Sequence, residues 1–171
     1  IEYWVEKLRT ELSSLGLSCK KEDALPQFSI DWDNPTAYLQ KGIIRQTAGL
    51  AGELIRGNLK GFFRRIQVLS GQLPDPYDNL GSRIPIDVLK ARRIFFWVGD
   101  YGKYDKGLSW KNKWYRDKIR ELSRDMLPGL HPSYACFSHP EFLIREKKRL
   151  EEILKTEITA NRFHFLRFRL P

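Results

Sequence analysis

A chain of 171 residues, 42% hydrophobic and 13% aromatic, carries enough apolar material for one packed domain, which excludes an intrinsically disordered chain. Its formal net charge of +9, from 30 basic and 21 acidic residues, favours anionic surroundings such as nucleic acid, acidic glycan or a phospholipid face. No apolar run reaches membrane-spanning length, no signal-peptide pattern opens the chain, and Cys19 and Cys136 are too few to make a disulfide framework.

The two cysteines therefore read as free thiols, and the expected location is cytoplasmic or membrane-peripheral. The chain begins at Ile1 and stops at Pro171 just after a strand-like segment, so it reads as a single domain over 1–171 that belongs to something longer.

Taken in order, Ile1, Trp4, Val5, Leu8, Leu12 and Leu15 recur at near-helical spacing before Gly16. This predicts an N-terminal amphipathic helix over 1–16 with its apolar stripe buried and a glycine stop. After a loop from Leu17 to Pro26, Phe28, Ile30 and Trp32 alternate with Ser29, Asp31 and Asp33, the period of a strand. Pro35 ends it, which leaves two carboxylates on one face at the strand's carboxyl end, where α/β folds place ligands. Two like charges held there repel, which raises one pKa unless a proton or cation lies between them. The plainer reading is an edge strand ending in an Asx turn.

From Thr36 to about Leu69 the pattern is helical, interrupted by glycines, with Asn58 as a candidate cap for a second helix. Lys41, Arg45, Arg56, Lys60, Arg64 and Arg65 face the single acid Glu53. This basic insertion over 36–70 reads either as a solvated face or as a surface for peripheral membrane or glycan contact. Residues Leu73 to Gly81 are loop, and Ile84 to Lys90 have room only for a short helix. Ile94 to Val98 is apolar on both faces, as in a buried parallel strand, and the polar, glycine-rich loop Gly99 to Gly107 follows it.

Trp110 to about Asp125 reads as a helix with Trp114, Ile119 and Leu122 turned inward. His131 to Tyr134 reads as a short strand entering a loop. Ser138 and Glu141 have capping-box spacing ahead of a helix to about Thr156. Ile158 to Leu170 reads as a last strand. Alternating strands and helices predict an α/β fold with parallel pairing and right-handed crossovers.

Three polar clusters then fall at strand ends: Asp31 with Asp33, His131, and Arg162 with His164. Carboxylates and imidazoles together suit a divalent metal with an open position for water, and a carboxylate outside the metal shell can act as general base. The competing reading is a satisfied structural histidine and an arginine paired to an acid. No phosphate-binding glycine loop, GxSxG elbow, HExxH or CxxC occurs, and nothing places a base beside Cys136.

Four segments occur in an order that resembles a bacterial branch of the polysaccharide deacetylase (NodB-type) family. They are Ser29-Ile30-Asp31-Trp32-Asp33-Asn34, Phe96-Trp97-Val98-Gly99-Asp100-Tyr101-Gly102-Lys103-Tyr104-Asp105, Gly129-Leu130-His131-Pro132-Ser133-Tyr134 and Asn161-Arg162-Phe163-His164-Phe165-Leu166. The resemblance implies an incomplete or distorted parallel (β/α) barrel and metal-dependent removal of an acyl group from a polysaccharide or oligosaccharide. It implies Asp31 as catalytic base, Arg162 as the arginine that orients it, and Asp33 and His131 as ligands of a divalent metal, zinc being the one expected. Asp100, Tyr101 and Tyr134 are the expected substrate contacts. The family's second ligand histidine lies four residues after the first. Here that position is Ala135, so His164 is the expected third ligand and His139 the alternative. Two other readings stand beside this one: an inactive glycan-binding relative, motivated by Ala135, and a basic module binding nucleic acid or an anionic membrane, in which nucleic acid is the weaker expectation.

Overall fold

The computed structural model describes residues 2–17, 28–77 and 92–163. Strands β1 (Phe28–Trp32), β2 (Arg92–Phe96) and β3 (Leu127–Leu130) form a parallel sheet in the order β1-β2-β3. Its helices are α1 (Glu2–Ser14), α2 (Ile43–Ile55), α3 (Leu59–Leu69), α4 (Lys113–Leu122) and α5 (Pro140–Leu154), with a 3₁₀ turn at Tyr134–Phe137. The mixed α/β class and the parallel pairing are as expected. A closed barrel is not formed by the described residues: the sheet has three strands, and only an isolated parallel bridge from Leu130 to Asn161 extends it beyond β3.

The alternation in β1 sorts its faces. Ile30 and Trp32 join Ile94, Phe96 and Leu130 under α4 and α5, whose Tyr115, Ile119, Leu150 and Ile153 are fully buried. Trp32 packs against the Tyr115 ring at 5.3 Å and edge-on to Phe96 at 5.6 Å. Burying such side chains contributes about 1.5–3 kcal/mol each, so this layer carries the domain. The opposite face holds Asp31, Phe95 and Gly129 in register across the strands. A Cβ on Gly129 would lie 2.6 Å from the Phe95 ring, so only glycine leaves Phe95 its place there.

Several expectations are corrected. The stripe of α1 is not buried: Trp4, Val5, Leu8 and Leu15 are exposed, because periodicity marks an apolar side without supplying a surface to cover it. Its stop is as expected, with Gly16 at φ 77° and its N–H donating to the Ser13 carbonyl. The helix expected from Thr36 starts only at Ile43, since Pro35 and the positive-φ residues Gln40 and Gly42 hold residues 33–42 in turns. Asn58 does cap α3, accepting from the Gly61 N–H at 3.0 Å.

The third strand lies upstream of His131–Tyr134, which is loop leading into the 3₁₀ turn. Ser138 does not cap α5. It closes the 3₁₀ turn in helical conformation, the N-cap is His139 without a side-chain bond, and Pro140 opens the helix. The expected helix at Ile84–Lys90 and most of the last strand lie outside the described residues.

Candidate active site

The strand registers pair Trp32 with Phe96 and Phe96 with Leu130, and Leu130 bridges to Asn161. One residue further along each chain are Asp33, Trp97, His131 and Arg162. The sheet's carboxyl edge therefore carries a carboxylate, an indole, an imidazole and a guanidinium in one row. This is the meeting of strand-end clusters expected from the sequence.

His131 is buried, with its ring fixed at both nitrogens. Nε2 lies 3.0 Å from Asp33 Oδ1, and Nδ1 meets the backbone carbonyl of Arg162. A carbonyl only accepts, so Nδ1 carries a proton; an ionised carboxylate also only accepts. The Nε2–Asp33 contact is thus favourable in two states, with a second proton on the ring or with a cation between the two groups. Burial alone pulls the His131 pKa down, but the hydrogen bond and charge of Asp33, the charge of Asp31 and the Arg162 carbonyl outweigh it, and the net shift is upward from 6.5.

Arg162 serves the other carboxylate. Its guanidinium donates to Asp31 Oδ1 at 3.1 Å and to Ser29 Oγ, with its carbon 4.3 Å from the Phe95 ring centroid. The flat cation lies across the Phe95–Gly129 row and reaches the two polar residues of β1. Ser29 carried no separate signal in the sequence beyond alternation with Asp31.

Asp31, Asp33 and His131 open on a cleft of about 430 Å³ whose other walls are Asn34, Trp97 and the loop Tyr104–Gly107. Gly107 is needed by close approach: a Cβ there would stand 2.5 Å from both the Asp33 carbonyl oxygen and the Trp97 ring. The loop beyond His131 is held from two sides. Asp105 accepts from the Tyr134 N–H at 3.0 Å, and Glu146 of α5 accepts from the Ser133 N–H at 2.9 Å and hydroxyl at 2.6 Å. Burial pushes the Glu146 pKa up, partly offset by the Ser133 bonds. Burial likewise pushes the Cys136 thiol up to about 12, which agrees with setting aside a cysteine nucleophile.

The expected substrate contacts divide. Tyr134 packs at a tilt against Tyr104, which lines the cleft, with ring centroids 4.5 Å apart, whereas Asp100 and Tyr101 line a neighbouring cavity. Tyr104, Asp105 and Glu146 were missed in the sequence. Glu146 alone had a readable signal, an acid on the apolar side of a helix.

Compared with protein-family models, curated proteins and solved structures, the chain has no significant match.

The donor set fits a divalent cation at two positions. An imidazole whose far nitrogen donates to a backbone carbonyl is oriented as metal-binding histidines are, and Asp33 presents oxygen beside it. Among the described residues no group of three or more His, Cys, Asp or Glu side chains is placed to hold an ion. Ala135 sits in the 3₁₀ turn with no donor atom in its side chain, and exposed His139 faces Glu141 Oε1 at 3.2 Å. His164 lies outside the described residues.

Proposed function

We propose that this domain hydrolyses an acyl group, an acetyl ester or amide, from a polysaccharide. The observation that supports it is the separation of the two aspartates at one cleft: Asp31 is bonded to Arg162, and Asp33 is paired with a buried, carbonyl-oriented His131. Two carboxylates in unlike surroundings suit two unlike tasks.

Asp33 and His131 would hold a divalent metal, with zinc as the candidate and His164 as third ligand; when bound, the metal polarises the acyl carbonyl. Arg162 holds the Asp31 carboxylate at the cleft, and Asp31 accepts a proton from the attacking water. Oxygen adds to the acyl carbon, the bond to the sugar oxygen or nitrogen breaks, and the sugar takes up a proton as the carboxylate leaves. Trp97 and the Tyr104–Gly107 loop wall the cleft, and Tyr104 and Tyr134 offer an aromatic rim for sugar rings.

A second reading, a glycan-binding relative without turnover, is favoured by Ala135, which withholds a side-chain donor where a third ligand is expected. Acetate release from acetylated oligosaccharides by the zinc-supplemented protein decides between them. Release that Asp31→Asn abolishes supports hydrolysis, and its absence in the wild type at every metal tested leaves the binding reading.

A further inference from the structure

Behind the wall formed by Trp97 and Gly107 lies a second cavity of about 420 Å³. Its lining includes Gln40, Lys41, Arg45, Tyr101 and Trp110, so cations and aromatic rings are interleaved around one space. Acids nearby are already engaged. Asp75 accepts from the N–H groups of Ala37, Tyr38, Leu39 and Tyr77, and Asp100, which itself lines the cavity, is neutralised by Arg145 and Arg149 of α5, each at 3.0 Å.

Arg45 donates to the Gly107 and Lys106 carbonyls at 3.1 and 2.8 Å, and its guanidinium carbon lies 5.0 Å from the Tyr101 ring centroid. Those bonds are to neutral oxygens, and among the described residues no acid pairs with Arg45. Lys41 has no hydrogen bond or ion pair among the described residues. It is held at the cavity by a built turn: Gln40 before it has φ 62°, Gly42 after it has φ 74°, and the Asn112 amide donates to the Gln40 carbonyl at 3.3 Å. Burial lowers the Lys41 pKa, and Arg45 and Arg65 lower it further against the opposing pull of Asp75. Lys41 and Arg45 thus bring two cations to one cavity.

We propose that this cavity is a subsite for an acidic sugar, with Lys41 and Arg45 receiving the ring carboxylate and Trp110 and Tyr101 supplying apolar surface for the ring. This deepens the hydrolase reading and rests on the glycan nature of the ligand in the adjoining cleft. Arg45 joins the two spaces, since Lys106 and Gly107, whose carbonyls it holds, also line that cleft. An acidic residue bound here would place its neighbour along the chain toward Asp31 and Asp33.

The test is binding, read by the indole N–H resonance of Trp110 and by calorimetry, on the complete protein and its Asp31→Asn form. The probes are a glucuronate-containing oligosaccharide, its neutral counterpart with the carboxylate reduced, and inorganic phosphate. The acidic probe should bind on the order of tenfold or more tightly than the neutral one, the margin of one charge-assisted hydrogen bond. Lys41→Met should abolish the margin, and Lys41→Arg should retain most of it and shows that a folded site remains. Equal affinity for acidic and neutral probes overturns the subsite. So does a margin that survives in Lys41→Met, or phosphate binding as tight as the acidic sugar, which marks a simple anion site. Preference in the Asp31→Asn form needs no turnover, so failed acetate release and failed acidic preference are separate results.

Discussion

The His131 ring is clamped between Asp33 Oδ1, 3.0 Å from Nε2, and the carbonyl of Arg162 at Nδ1. With hydrogen-bond acceptors at both nitrogens, this pair suits the proposed cation in place of the second proton. Zinc affinity of the complete protein, measured against a competing chelator, should fall more than about 100-fold in His131→Ala and in Asp33→Ala, beyond the loss usual for an outer-shell partner. Asp31→Asn should change it little. Zinc held equally well by His131→Ala would remove these ligands from the account.

Arg162 reaches Asp31 and Ser29 with a planar fork that a lysine cannot reproduce. Arg162→Lys is expected to lower kcat by about tenfold or more with KM nearly unchanged, as when an interaction made in the transition state is lost. A change confined to KM would show that Arg162 serves binding and not the base.

Glu146 is buried and accepts from both the N–H and the hydroxyl of Ser133, two residues past His131. Glu146→Ala leaves a buried N–H without its acceptor and should cost about 3 kcal/mol, lowering Tm by roughly 6–12 °C. Glu146→Gln keeps one acceptor oxygen and should cost less. Thermal unfolding of the two variants side by side checks the order.

Asp75 carries the acid-side dependence. Its carboxylate accepts from four backbone N–H groups. Burial alone would raise its pKa, but these bonds prevail and hold it below 3.8. A depressed folded pKa gives stability that is present above the unfolded value and is lost as pH falls through the folded one. Asp75→Asn should therefore cost about 2–3 kcal/mol at pH 7, and the gap from wild type should shrink below pH 3.8. Urea unfolding at pH 7, 4 and 3 measures it, and a gap that stays constant would contradict the assignment.

What was legible in the sequence followed from rules that act locally. The period of two located β1 to within a residue at its start, the glycine after Leu15 ended α1, and Asn58 capped α3, because each depends on neighbours along the chain. The failures needed knowledge of what lies across space. Ser138 has capping-box spacing, but the preceding 3₁₀ turn already fixes its backbone in helical conformation. Tyr115, not Trp114, is the fully buried aromatic of α4, and its hydroxyl donates to the Trp97 carbonyl at 2.6 Å, a partner eighteen residues away. The separation of Asp100 and Tyr101 from the carboxylate cleft depends on where Trp97 and Gly107 stand, which spacing does not reveal.

Arg162 uses its side chain on one aspartate's role and its backbone on the other's. The guanidinium aims Asp31, and the carbonyl aims the histidine that faces Asp33. Any shift of this segment along the sheet edge misaligns both together, so the two halves of the site behave as one thermodynamic unit. In a double-mutant cycle read on acetate release, Asp31→Asn and His131→Ala should show losses that fall short of their sum, since either one alone already stops the proposed reaction. The segment around Asn161 is then where a bound chain or a neighbouring element would have the most leverage, moving the proposed proton acceptor and the proposed cation site together.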